Sequence, residues 1–174
     1  MINNKKGFTL VELLAVIVIL AIIAIVGTTA IGPVIQNSRK DSIIDEAQTI
    51  ADAVTLTASM IDAEQTTTCT IFNTSYKTSD TTSVYVVSLD KLAGCGYYKK
   101  KNNNLQGYVV VNSDNYSISS YCFGDRNTSY GLKEKSSSEL TRTNVTQQQD
   151  KTKYYSYTKS KTKGIYTIKC KMVS

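Results

Sequence analysis

The chain has 174 residues and carries 20 lysines and arginines against 14 aspartates and glutamates, a net charge of +6, with no histidine, no tryptophan and one proline. The missing histidine removes the commonest general base and the commonest zinc ligand, so the usual hydrolytic triads and histidine-bearing metal sites are excluded. Apolar residues are concentrated at one end, and that asymmetry governs how the rest is read.

Between Phe8 and Val26 stand four Leu, five Ile, four Val and one Phe. Each favours membrane insertion by roughly 0.3 to 0.6 kcal/mol, about 6 kcal/mol together. Glu12 opposes this with roughly 3 kcal/mol if ionised deep in hydrocarbon, and less near an interface. Insertion wins. Continued to Ala30, the segment is about 23 residues and roughly 34 Å as a helix, enough to cross a hydrocarbon core of about 30 Å. A secretory signal has an apolar core of only about 7 to 15 residues and ends at a small-residue cleavage site, which this run does not offer. Lys5 and Lys6 precede the span, so a single-pass protein is expected, with its N-terminus cytoplasmic and everything beyond about residue 30 outside.

The stretch Gly7-Phe8-Thr9-Leu10-Val11-Glu12 resembles the processing and assembly motif of the type IV pilin family, which includes the pseudopilins of type II secretion and competence systems. The resemblance covers about the first 60 residues, by motif and then by long-helix character. It implies a leader of residues 1–7, cut between Gly7 and Phe8 by a prepilin peptidase and methyltransferase that also N-methylates Phe8, leaving 174 − 7 = 167 residues. It further implies storage in membrane lipid. Assembly machinery then builds a homo-oligomer or a mixed pilin filament at the cell surface, with Glu12 in the assembly role.

Glu12 also has a reading from helix geometry. It lies four residues after Phe8, so its carboxylate faces the end that would carry the new ammonium. Two pairings are open: with its own N-terminus, which makes a buried acid tolerable, or with a neighbour's, which sets register between subunits. In a dry bundle an acid and an ammonium about 4 Å apart attract by several kcal/mol at an effective dielectric near 20, before desolvation is subtracted. Gly27, Gly32 and Pro33 fall where the span ends and predict a helix break. Glycine disfavours helix by roughly 1 kcal/mol and proline by about 3. The break is either a kink at the membrane surface or, as in the resembled family, a stretch that unwinds in the fibre.

Beyond Pro33, Ile43, Ile44, Ala47, Ile50, Ala51, Val54, Ala58 and Ile61 recur at steps of three and four, one stripe of a helix continuing to residue 62. Arg39, Lys40, Asp45, Glu46 and Asp52 mostly fall elsewhere. From residue 63 to 174 the composition turns to Thr, Ser, Asn, Lys and Tyr, an external β-rich head. Ser83 to Leu89 is a strand candidate, followed by a helical turn over Leu89 to Leu92. Gly107 to Asn112 and Tyr116 to Phe123 form an antiparallel hairpin about Ser113-Asp114-Asn115. Residues 126 to 152 read as an extended loop. Tyr166, Ile168, Cys170 and Met172 alternate with polar residues in a final strand, which pairs with Lys153 to Lys159 through a turn near Lys163-Gly164. The expected fold class is α+β, pilin-like: a long N-terminal helix with a small antiparallel sheet on its outer half.

Cys69, Cys95, Cys122 and Cys170 all fall in the head, an even number in a compartment that permits disulfides. No close Cys pair suggests a metal knuckle, and no metal or cofactor is expected. Four cysteines allow three pairings; Cys69 with Cys95 and Cys122 with Cys170 is favoured, because it would pin the loop after the helix and the end strand.

Lys151, Lys153, Lys159, Lys161, Lys163, Lys169 and Lys171 crowd the C-terminal segment among Tyr154, Tyr155, Tyr157 and Tyr166. Three readings stand: a solvated edge whose lysines discourage strand pairing, single-stranded DNA held by charge and base stacking, or an anionic cell wall. The function classes are accordingly a structural filament subunit, an adhesive or DNA-binding minor subunit of such a filament, and a membrane-tethered enzyme. For the enzyme the sequence offers no nucleophile with an obvious base and no phosphate-cradling glycine loop, so none is expected.

Overall fold

A computed structural model describes residues 9–63, 69–101, 103–148 and 153–173, with the side chains of 28–30 left aside. Lys5, Lys6, Gly7, Phe8 and Lys151, for which the sequence sets expectations, lie outside the described residues. The chain divides into two compact units, Met1–Ser38 and Arg39–Ser174. Helix α1, Leu10–Asp62, supplies the described helix of the first and the longest element of the second.

In the first unit α1 is apolar all round. From Leu10 to Val26 every side chain is exposed, Leu20 at 58% and Ile23 at 61% among them. A helix with no polar face needs an apolar surrounding on every side. The break expected at Gly27, Gly32 and Pro33 does not appear as an interruption, since α1 keeps helical hydrogen bonding through all three. Pro33 deletes a single donor from the ladder, and the rungs on either side suffice to carry the helix across it.

In the second unit α1 buries Ile43, Glu46, Ala47, Ile50, Ala53, Val54, Thr57 and Ala58, spaced three and four apart along one face. Glu46 is a departure from the sequence reading, because it lies on that face and is 6% exposed. Tyr98 donates to its Oε1 at 2.5 Å. Burial, with the Glu46 carboxylate beside it, pushes the Tyr98 hydroxyl above its usual range. The buried Thr57 hydroxyl is satisfied within the helix by the Ala53 carbonyl at 2.7 Å.

The face of α1 packs on a six-stranded antiparallel sheet in chain order: β1 Ser75–Lys77, β2 Ser83–Ser88, β3 Leu105–Asn112, β4 Ile118–Asp125, β5 Tyr130–Lys135 and β6 Thr146–Gln147. A short helix, α2 Leu89–Gly94, follows β2, its first turn capped by the Ser88 side chain. The edges β1 and β6 are only three and two residues long, which limits pairing with other chains. Strand pleating sends Val109, Val111, Tyr121 and Phe123 toward α1, where they meet Ile50 and Val54 in the main core.

Tyr108, Val110 and Cys122 point the other way. They are covered by a separate two-stranded ribbon, β7 Tyr154–Thr162 and β8 Ile165–Val173, whose Tyr155 and Cys170 complete a second cluster. The second unit is thus helix, sheet and ribbon, and β3 reads as an unbroken Val run because it is buried on both faces. The ribbon turns at Lys163 and Gly164, with φ of 49° and 86°, the left-handed pair that a tight two-residue hairpin requires.

The extended loop expected over 126–152 is corrected. Strand β5, a helical turn at Ser137–Glu139 and strand β6 occupy about half of its described part. Tyr130 and Leu132 are 2% and 0% exposed, enough to seat β5 on the core although its sequence has few apolar residues. The other contribution comes from glycine. Gly131 of β5 pairs with Gly124 of β4, and a Cβ on Gly131 would stand 2.6 Å from the Tyr155 hydroxyl and 2.6 Å from the Phe123 carbonyl. These two glycines form the floor on which Tyr155 lies. Gly131→Ala is therefore expected to destabilise the head by about 1 to 3 kcal/mol, an overpacking cost. Chemical denaturation would check it, and an unchanged midpoint would contradict the packing described.

The four cysteines close two bridges. Cys69 joins Cys95, with Cα atoms 5.2 Å apart, and Cys122 joins Cys170 at 5.8 Å. The first ties the segment after α1 to the end of α2, and the second ties the ribbon to the middle of the sheet.

Candidate assembly segment and basic ribbon

Glu12 is the sole charged side chain between Thr9 and Ser38. At the start of α1 its Oε2 accepts from the Thr9 backbone N–H at 2.8 Å and from the Thr9 hydroxyl at 2.9 Å. The Glu12 N–H in turn donates to the Thr9 hydroxyl oxygen at 3.3 Å. This reciprocal arrangement is a capping box, which satisfies two N-terminal donors of the helix and keeps the carboxylate beside the positive end of its dipole. Its signal in the sequence is the Thr9-x-x-Glu12 spacing just before an apolar run. The same side chain is the only charged one of α1 before Arg39.

Around that acid, Leu10, Val11, Leu13 and Leu14 are exposed apolar surface, so the segment can bury itself only in lipid or against other apolar helices. By length and composition α1 is the one described helix able to cross a membrane. A family model described as the prokaryotic N-terminal methylation motif matches residues 2–28. The chain carries the prepilin motif of type IV pilins and pseudopilins. No curated protein and no solved structure matches it. The motif, the apolar helix and the antiparallel head together make this a pilin-like protein, in keeping with a membrane-anchored subunit.

The pilin-like head brings its other candidate residues together differently from the sequence reading. Tyr155 is buried, Tyr157 packs edge-on against Tyr108 at 5.0 Å and Tyr166 edge-on against Tyr76 at 5.3 Å. Burial raises the Tyr108 hydroxyl above its usual range. Tyr155, Tyr157 and Tyr166 thus help hold the ribbon to the sheet, although Tyr154 and Tyr157 stay 40% and 37% exposed, and these two rings lie on opposite faces of the ribbon and form no continuous row for base stacking. An open cleft of about 440 Å³ lies at the ribbon's start, lined by Ser88, Asp90, Gln106, Tyr108, Tyr154 and Tyr157 among others. Asp90 there is bonded to Lys100 at 2.6 Å. Among the described residues no three His, Cys, Asp or Glu side chains cluster as metal ligands.

At the base of the head the Arg142 guanidinium forks onto Asp41 of α1, at 2.5 and 2.7 Å. It holds the Asp41 carboxyl below the usual carboxylate range. Lys101 reaches Ser42 at 2.7 Å. Both contacts fasten loops of the head to the first turns of α1 in the second unit.

Proposed function

We propose that the protein is a structural subunit of a type IV pilus-like, type II secretion or competence filament, cleaved between Gly7 and Phe8, N-methylated at Phe8 and assembled through its N-terminal helix. On this reading residues 1–7 are leader, 8–62 the assembly helix with 8–30 in the membrane before assembly, and 63–174 the external head. The observation that carries it is the pairing of the methylation motif at residues 2–28 with a helix that is apolar on every side and holds one acid at its start. Such a helix is stable in lipid as a monomer and in a bundle of its own kind as a polymer. Gly27, Gly32 and Pro33 leave a weakened stretch of ladder, which gives the helix a place to unwind when subunits pack.

Mass spectrometry of the protein from its native host is expected to find a chain of 167 residues beginning with N-methyl-Phe8. An intact Met1 in the membrane fraction would overturn the processing route.

A further inference from the structure

We propose that the β7–β8 ribbon is a docking surface for a flexible phosphodiester polymer of the kind that coats cell surfaces. The ribbon from Tyr154 to Val173 holds five of the chain's 20 basic side chains, Lys159, Lys161, Lys163, Lys169 and Lys171, and none of its 14 acids. All five are exposed. The ion pairs of the described head fall elsewhere, at Lys77, Lys100, Lys135 and Arg142. The nearby Glu134 carboxylate accepts the Cys170 backbone N–H at 2.6 Å. The ribbon's positive charge is therefore concentrated and left for a partner to neutralise.

The register arranges that charge. Ser156 lies opposite Lys171, Thr158 opposite Lys169 and Ser160 opposite Thr167. The face turned away from the sheet is thus a strip of lysines and hydroxyls, with Lys169 and Lys171 about 7 Å apart along the strand. On the other face Lys159 stands 5.0 Å from the Tyr76 ring centroid and Lys161 5.2 Å from that of Tyr166. These cation–π contacts hold two ammonium groups at the ribbon's margin, and Lys163 marks its tip. Cys122–Cys170 fastens the whole strip to a rigid sheet, so binding orders little protein.

The composition selects among polyanions. The strip has no arginine, and lysine is a point charge that attracts phosphate without the planar fork that reads base edges. The outward strip carries a single ring, the half-exposed Tyr154 at one end, while Tyr157 and Tyr166 lie on the sheet side against Tyr108 and Tyr76, so no row of rings runs beside Lys169 and Lys171 to stack successive bases. A pliant chain of phosphodiesters asks only for spaced charge and hydroxyl donors, which is what the strip supplies. This contact needs no filament, and it holds for the monomer as for the polymer.

The test uses the full chain in detergent micelles with poly(glycerol phosphate) as probe and duplex DNA of mixed sequence as competitor. Binding is expected at low salt, falling steeply as salt rises. The triple variant Lys163→Asn, Lys169→Gln, Lys171→Gln is expected to lose at least about tenfold in affinity and to flatten the salt slope by roughly 2, near 0.7 per lysine. Lys77→Gln with Lys135→Gln, both removed from existing ion pairs, is expected to change affinity less than about twofold. Absence of binding at low salt, unchanged binding by the triple variant, or preference for duplex DNA over the polymer would each overturn the proposal.

Discussion

Glu12→Ala is expected to abolish filaments while the protein still inserts into the membrane and still loses its leader. In the isolated helix the carboxylate is bonded to the Thr9 N–H and hydroxyl. Its removal frays one turn and eases insertion by up to about 3 kcal/mol. In a packed bundle of such helices its removal also leaves the neighbouring N-terminal ammonium without a counter-charge in a dry interior, a loss of several kcal/mol at every subunit. Because each subunit repeats the loss, polymerisation fails altogether. Glu12→Gln separates the two roles of the side chain, since glutamine still serves a capping box but carries no charge. Electron microscopy of surface fibres is expected to show none for either variant. Normal fibres from Glu12→Gln would reduce the residue to a helix cap and remove the intersubunit pair.

The second large effect is on the head. Cys122→Ser with Cys170→Ser opens a loop of sequence separation 48, and Cys69→Ser with Cys95→Ser one of 26. Chain-entropy reasoning gives about 4 kcal/mol for the longer loop and about 3.5 kcal/mol for the shorter. The consequences differ more than the energies. The ribbon touches the sheet through a small cluster, chiefly Val84, Tyr108, Val110, Tyr155 and the bridge itself. Without the bridge the ribbon is expected to loosen first, exposing Tyr108 and Val110, whereas loss of Cys69–Cys95 leaves the main core between α1 and the sheet in place. Hydrogen exchange read strand by strand checks this: β7 and β8 should lose protection in the Cys122 variant well before β3 and β4. Uniform loss across all strands would show that ribbon and sheet unfold as one.

How much of this was legible in advance depended on how local the cause was. The membrane-length helix followed from run length and from one acid among apolar neighbours. The β3–β4 hairpin and the β7–β8 ribbon were announced by alternating or β-branched runs around turn residues, and the Lys163-Gly164 turn needed only a left-handed pair. Strand β5 was missed because its place depends on Gly131 lying beneath Tyr155, a contact between segments 24 residues apart. Glu46 was read as a surface charge because its partner, Tyr98, is 52 residues away.

The sequence by itself determined the chemistry of the N-terminal segment: a prepilin motif, a span apolar on all sides, and one acid, Glu12, near its start. Each of these is set by residues within a few turns of one helix. Only the tertiary structure decided which cysteines meet, which face of the Val run looks toward α1, and that the tyrosines near the C-terminus hold the ribbon down while its lysines remain outside. Those outcomes rest on register and layer order, where a strand's two faces differ by a single residue in sequence and are told apart only by what packs against them.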